Sequence, residues 1–453
     1  MNVRIIDRAS GPFPGSRAKA VQPRTQEVLE DLGVLDALLA GAAPYPKLGI
    51  HLGPFTLPRT MIAVGKPTPE IPYPSAVLSP QFHTDRVLHD ALHAAGVSVE
   101  YDTEVVGVDQ DSDSVTTTLS TGERVRSTYA VGADGGSSRV RKQAGITFTG
   151  STDEEDRMVI ADVTIPGLRR NRWHIWPGTS GRFLGACPLP GGDLFQVMLR
   201  LPKATQIAND PATLQSAVRD ALAARSLSAG EFRWASLFRP NIRLAEHYRN
   251  GRIFLAGDAA HAHTPAGGQG LNTGIQDSYN LGWKLGAVLG GADEELLDTY
   301  ESERRPIAAA VLKLSTERYE SFDGNAKKAV TRGDEERQLV LNYRSSAISS
   351  RSSAVVGALH AGDRLPDAIA TDGNRVFART AGPRAVLVGI GPHGAESAHA
   401  LAHGRDIAVV EVPSGTYGAK EPALMLVRPD GYIAVLSGVE DTSAISQSLM
   451  MLG

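Results

Sequence analysis

The run GDAAHAHTPAGGQGLNTGIQDSYNLGWKL, residues 257–285, decides how this chain folds. The apolar Arg252-Ile-Phe-Leu-Ala256 before it reads as a strand ending at Gly257-Asp258. A carboxylate therefore stands at the carboxyl end of a strand, where α/β sheets bind ligands. Asp258 is placed to hold ligand hydroxyls. The segment Pro265-Ala-Gly-Gly-Gln-Gly270 carries too little side chain to pack a core, but its backbone can approach a flat ligand closely. A helix is expected from about Leu271 to Leu289, its amide-rich positive end aimed at that ligand. The fold class that follows is α/β with α+β character.

Taken as they stand, GDAAH, the P-x-GGQG-x-N-x-G-x-QD stretch, the NLGWKL helix and the later Tyr300-Glu-Ser-Glu-Arg-Arg-Pro306 point to a family. They resemble the second flavin fingerprint of the single-component FAD-dependent aromatic hydroxylases, typified by p-hydroxybenzoate, phenol and polyketide hydroxylases. The resemblance implies a Rossmann-like FAD-binding domain, an interleaved antiparallel-sheet substrate domain and a C-terminal thioredoxin-like domain. It implies FAD as cofactor, NAD(P)H as reductant and molecular oxygen as co-substrate, with oxygen delivered to an aromatic ring through a flavin C4a-hydroperoxide. Gly257 and Asp258 would hold the ribityl chain. The backbone of Gly267, Gly268, Gln269, Gly270, Leu271 and Asn272 would stabilise the anionic reduced flavin. Pro265 resembles the family's proline at the flavin edge where oxygen reacts, so Pro265 and Gly268 take the catalytic position. No side chain is nominated as catalytic base, because relatives activate the phenol in differing ways.

Met1-Asn-Val-Arg-Ile-Ile-Asp7 reads as a strand ending in an acid, followed by Arg8 and a turn-rich Gly11-Pro-Phe-Pro-Gly15. In a dinucleotide fold such a strand is the second, and its acid accepts bonds from the adenosine ribose. Asp7 is otherwise an ordinary strand-end acid. The Gly-rich turn that should precede it would need about 25–30 residues ahead of Asn2. The expectation is weak FAD affinity for the chain as written and a start lying further upstream, with a truncated, FAD-deficient, non-catalytic paralogue as the alternative.

Further along, Ser16-Arg-Ala resembles the family segment whose arginine, here Arg17, lies against the flavin or its pyrophosphate. A helix capped by Thr84 or Asp85 and stopped by Gly96 is expected. Just before it sits Gln81, in relatives a ligand of the ribityl or phosphate region. Tyr129-Ala-Val-Gly-Ala-Asp-Gly-Gly-Ser-Ser-Arg139 sends another strand into Asp-Gly. It resembles the family's DG fingerprint, in which Asp134 and Arg139 buttress the pyrophosphate; alone, it would be a plain turn.

Residues 151–245 alternate like a mostly antiparallel sheet, joined by part of 40–80, and in this family such a sheet floors the substrate pocket. Trp176, Phe183, Phe195 and Trp234 are the candidate substrate contacts. Trp173-His-Ile-Trp-Pro177 superficially echoes a halogenase motif with the wrong spacing, so a halogenase or reductase stays as the rival flavin chemistry. His261 and His263, two apart with no third ligand nearby, give no metal site.

The boundaries are an FAD-binding part over 1–150, the substrate sheet over 151–245, and a second FAD-binding part over 246–322 with a break or kink at Pro306. A polar connector follows over 323–360. The unit 361–453 resembles the thioredoxin-like tail of phenol and polyketide hydroxylases. It has no cysteine, which excludes redox work and leaves packing or homodimer formation. Cys187 is the only cysteine of the 453 residues, so no intrachain disulfide forms. A net charge of −4 gives no electrostatic reason for a nucleic-acid or anionic membrane partner. No apolar run approaches the roughly 18 residues that span a bilayer, and no leader is apparent. The expected setting is the cytoplasm, with a small aromatic molecule as partner.

Overall fold

A computed structural model describes residues 2–62, 64–179, 182–264, 267–321, 333–349 and 353–452. Pro265 and part of the 323–360 connector lie outside the described residues. The principal helices are α1 (Pro23–Asp31), α2 (Leu35–Ala40), α3 (Gln81–Ala94), α4 (Arg139–Gln143), α5 (Pro211–Ala223), α6 (Gly270–Leu289) and α7 (Asp298–Glu320). Two expectations are corrected. α3 begins at Gln81, directly after Pro80, rather than after Thr84 or Asp85. α7 runs through Pro306 without ending, because Pro306 and Ser302 both face solvent and water can serve the carbonyl that proline leaves unbonded.

The strand Ile5–Ile6 pairs in parallel with Val99–Glu100, and Ala130–Gly132 pairs in parallel with Ile253–Leu255. The second pair sets Asp134 and Asp258 beyond neighbouring strand ends. Arg141 of α4 ties the two loops, donating to the Ala259 carbonyl at 2.7 Å and the Gly136 carbonyl at 3.0 Å. Behind them Tyr248, Phe254, Leu255, Leu281 and Tyr300 form a buried core.

The seven-stranded sheet runs in the order Phe232–Phe238, Met158–Thr164, Leu194–Arg200, Phe183–Pro188, Trp173–Pro177, Leu48–Leu52, Phe55–Arg59. All its pairings are antiparallel except Trp173–Pro177 against Leu48–Leu52. The period of two gives each strand two unlike faces. Val159, Ala161, Val163, Leu184, Ala186, Phe195 and Val197 pack on one side under Leu214, Val218 and Leu222 of α5.

The C-terminal sheet runs Ala408–Val412, Val386–Ile390, Ala423–Val427, Ile433–Gly438, its first two strands parallel around the helix Gly391–Ala402. A string with G-x-G-x-x-G spacing, Gly389–Gly394, lies at that strand and helix. A Cβ at Gly389 would meet the Gly394 carbonyl oxygen at 2.6 Å and Ala395 Cα at 2.7 Å, so the glycine serves close packing of helix on strand. This unit is joined to α6 and α7 through buried ions: Glu303 of α7 accepts from Lys284 of α6 and from Arg428, while Arg428 also bonds Asp430.

Candidate active site

Gly257 leaves its strand at φ 59°, a left-handed conformation that glycine adopts without a Cβ penalty. The helix comes close there, since a Cβ on Gly274 would lie 3.3 Å from Gly257 Cα. Asp258 is thereby turned out to solvent, but into a crevice dense enough with protein that desolvation raises its carboxyl above the ordinary value. The neighbouring His261 and Arg17 oppose that rise.

Gly267 and Gly268 follow at φ 90° and 64°, and α6 starts at Gly270 behind Gln269, which supplies no side-chain cap. The N–H groups of Gly270, Leu271 and Asn272 have no partner inside the helix and form its positive end. Two side chains shape this loop. The amide of Asn272 donates to the carbonyls of Ala20 (2.9 Å) and Gly268 (2.8 Å) and accepts from the Gln22 N–H (2.8 Å). Its side chain is therefore consumed by protein, leaving only its backbone N–H for a ligand. Gln269 donates to the Gly267 carbonyl at 2.9 Å, while its buried Oε1 has no partner. Underneath, His261 Nε2 donates to Asp277 at 2.5 Å, Asp277 accepts from Arg304 at 2.7 Å, and His263 lies 2.7 Å from His261 Nδ1. The GDAAH histidine is thus part of a buried polar brace.

Gln81 is tied to the segment that carries Arg17, its Oε1 accepting from the Ala18 N–H at 3.3 Å. Arg17 is exposed and lies over the rings of Phe13 and Trp234, 5.3 and 5.9 Å from their centroids. Asp134 accepts from Ser138 and from the N–H groups of Arg139 (2.7 Å) and Val140 (3.1 Å), so it organises the start of α4. Arg139 pairs with Glu104 at 2.8 Å on the surface. Asp7 and Arg8 are exposed beyond the Ile5–Ile6 strand, with Asp7 accepting from the Ala9 N–H.

The four substrate candidates do not share a face. Phe183 and Trp234 stand with Met158, Ile160, Met198 and Phe238 on the side away from α5. Phe195 is buried under α5, and Trp176 packs against the same core while stacking on His51 at 4.5 Å. Odd and even positions of a strand point oppositely, and register puts Phe195 beside Val163 rather than beside Asp162. Phe195 and Trp176 are therefore withdrawn as substrate contacts.

The site face carries residues that the sequence reading passed over. Asp162 is fully buried, accepts from Ser16 Oγ, and leaves Oδ2 unpartnered; burial pushes its carboxyl up to about 6. Gln196 donates to Ser16 Oγ at 2.9 Å and accepts from Lys19. The signal existed, in a single acid within the apolar Met158–Thr164 strand.

One segment joins the two halves of the site. Ser16 and Lys19 bond the sheet through Asp162 and Gln196, while Ala20 and Gln22, just beyond them, bond Asn272 at the head of α6. The glycine loop and the polar sheet face are thus held against a common strip of chain. A cavity of about 880 Å³ lined by Glu246, Asp293, Glu294, Glu295, Asp298 and Glu301 together with His247 and Arg249 shares no residue with it.

Residues 1–315 match the family model of the FAD binding domain. The chain belongs to the FAD-dependent aromatic monooxygenases. It is 39% identical over 445 residues to a flavin-dependent monooxygenase of Mycobacteroides abscessus, a match covering 96% of this chain and 92% of that protein. It is 38% identical over 321 residues to 6-methylpretetramide 4-monooxygenase of Streptomyces rimosus, covering 69% and 56% of the two. The solved anhydrotetracycline hydroxylase OxyS from Streptomyces rimosus superposes with a TM-score of 0.74 at 30% identity, over 99% of this chain and 93% of that one. As in this monooxygenase family, the fingerprint loop here fits FAD. Two glycines at positive φ leave a bare backbone ridge, uncapped N–H groups face it, and a desolvated carboxylate stands at the strand end. Among the described residues no helix is long and apolar enough to cross a membrane.

Proposed function

We propose that this monooxygenase uses NAD(P)H and molecular oxygen to hydroxylate a phenolic or polycyclic, polyketide-like aromatic. The strip 16–22 carries the reading, because it is bonded at one end to the polar face of the substrate sheet and at the other to the glycine loop. A ring on that face would stand next to a flavin held by the loop. Once bound and reduced by NAD(P)H, FAD supplies the activated oxygen; the chain supplies the geometry. In this reading Asp258 holds ribityl hydroxyls, and Arg17 lies along the cofactor beside it. The N–H groups of Gly270, Leu271 and Asn272 stabilise negative charge on the flavin edge. Phe183, Trp234 and Met198 exclude water from the ring's side of the site. The polyketide-like class is supported by the likeness to 6-methylpretetramide 4-monooxygenase and to anhydrotetracycline hydroxylase.

The test is a visible spectrum of the purified protein with added FAD, followed by NADPH and NADH oxidation against small phenols and polycyclic phenols, with products read by mass. The expected result is a perturbed flavin absorbance spectrum in the presence of added FAD and a product heavier by one oxygen atom. Cofactor oxidation that yields only hydrogen peroxide across the panel, or a halogenated or reduced product, would overturn it.

A further inference from the structure

We infer that Lys19 takes the proton of the substrate's aromatic hydroxyl and then holds the resulting oxyanion, with Trp173 and Gln196 beside it on the site face of the seven-stranded sheet. This rests on the aromatic-substrate reading above, and it supplies the base that the sequence could not name. Lys19 is half-buried on the strip 16–22, one residue before Ala20, which itself lies against the glycine loop: a Cβ on Gly268 would be 3.2 Å from Ala20 Cβ. Its Nζ donates to Gln196 Oε1, reaches Met198 Sδ at 3.8 Å and lies 4.5 Å from the Trp173 ring centroid. All three neighbours are uncharged.

The carboxylate of the cluster, Asp162, is bonded to Ser16 rather than to Lys19. Desolvation therefore dominates and lowers the lysine's affinity for a proton, with Cys187 and Asp162 opposing only through space. A lysine so placed gives up its proton more readily than one in water. Two further polar atoms of the same face are buried without partners, the Trp173 Nε1–H and Asp162 Oδ2. The indole N–H is a donor only, so it can serve an oxygen of the ligand. Gly185 keeps that side low: a Cβ there would come within 3.3 Å of Trp173 Nε1 and of Ile175 Cδ1.

The step balances. The aromatic O–H bond breaks and an N–H bond forms on Lys19, so amine plus phenol becomes ammonium plus phenolate with no change in net charge. The phenolate is the more electron-rich ring, which is what an electrophilic oxygen requires. The ammonium that results sits over the indole face, where the ring quadrupole favours a cation. The titratable groups facing Lys19 are Asp162 and Cys187 from the sheet, and burial pushes the Cys187 thiol up to about 11.

The experiment binds a nitrophenol and a polycyclic hydroxyquinone to the FAD-loaded protein without NAD(P)H and reads the phenolate absorption band against pH. The parent should ionise the bound phenol at least one pH unit below its value in water, a tenfold change in the ratio of forms. Lys19→Met should keep the parent's FAD affinity and melting temperature but lose that shift. Its turnover should fall at least tenfold at low pH and recover as pH reaches the free phenol's own pKa, because solution then supplies the phenolate. Lys19→Gln keeps a polar link to Gln196, so a merely structural lysine would be rescued by it and a proton acceptor would not. A phenol bound and hydroxylated without ionisation, a shift that survives Lys19→Met, or rescue by Lys19→Gln sinks the assignment alone. A panel neither bound nor hydroxylated brings down the aromatic-substrate reading, and this assignment with it.

Discussion

Replacing Glu303 by Gln tests how the C-terminal unit is held to the rest of the protein. Glu303 Oε1 accepts from Arg428 at 2.7 Å and Ser346 at 2.6 Å; Oε2 accepts from Arg428 and Lys284, both at 2.7 Å, and from Asn280 at 2.8 Å. With Asp430, which also bonds Arg428, the buried charges cancel: Lys284 and Arg428 against Glu303 and Asp430. Although burial works against it, pairing with Arg428 and Lys284 holds the Glu303 carboxyl well below its ordinary range. The Glu303→Gln substitution would leave one uncompensated buried positive charge, and removing one partner of a buried pair costs about 3–5 kcal/mol. The variant's easiest relief is to release the Lys284 proton. Against an unfolded pKa near 10.4, doing so at pH 7 costs about 4–5 kcal/mol, which bounds the loss at the same size. Burial already lowers Lys284 to about 8 in the parent. A lysine whose folded pKa is depressed gains stability as pH rises from its folded to its unfolded value. The variant starts that gain below pH 7 and the parent only near 8, so the gap should narrow by about 1.4 kcal/mol between pH 7 and 8 and stay constant above. Urea unfolding followed by tryptophan fluorescence, to which Trp283 contributes from 5.3 Å beside the Arg428 guanidinium, reads this. Restoring neutrality with Lys284→Met in the same chain should recover most of the loss. A variant within about 1 kcal/mol of the parent at pH 7, or a gap indifferent to pH, would refute the reasoning.

Three further outcomes follow from the site. Gly268→Ala places a Cβ at φ 64° and 3.2 Å from Ala20, so stability should fall by about 1–2 kcal/mol and FAD affinity at least tenfold in a flavin-fluorescence titration; unchanged affinity would mean the loop does not hold the ring. Asp162→Asn removes a carboxyl whose raised folded pKa, about 6, makes the parent lose stability as pH climbs from about 4 through 6, by about 3 kcal/mol. Thermal melts at pH 4 and pH 7 should show the Asp162→Asn variant gaining on its parent at the higher pH, and parallel curves would remove Asp162 from the buried cluster. Arg141→Met cuts the donors to the Ala259 and Gly136 carbonyls that tie the two strand-end loops. Leaving those acceptors bare should cost about 2–3 kcal/mol and weaken FAD binding, and a variant equal to its parent in both would show that Arg141 is not the tie.

The bare loop and its helix were legible because glycine spacing is a local property. Gly267, Gly268 and the start of α6 lie close to where the run 257–285 put them. The break offered at Pro306 did not occur, since an exposed carbonyl that loses its donor can turn to water, and exposure is not a local property. That the four candidate substrate aromatics divide between two faces was not legible for a related reason. Alternation showed that Phe183, Phe195, Trp176 and Trp234 sit on strands with two faces, but not which face would meet α5 and which would meet the strip 16–22. What the sequence alone determined is the family, the glycine loop, the carboxylate at the strand end and the existence of an alternating sheet, since each depends on residues close together in the chain. Only the tertiary structure decided that Ser16 and Lys19 lie against Asp162 and Gln196, some 146 and 177 residues away, and that Glu303 meets Arg428 across 125. Such meetings are fixed by which buried polar groups can satisfy one another once the sheet and helices pack, and the chain order carries no record of that choice.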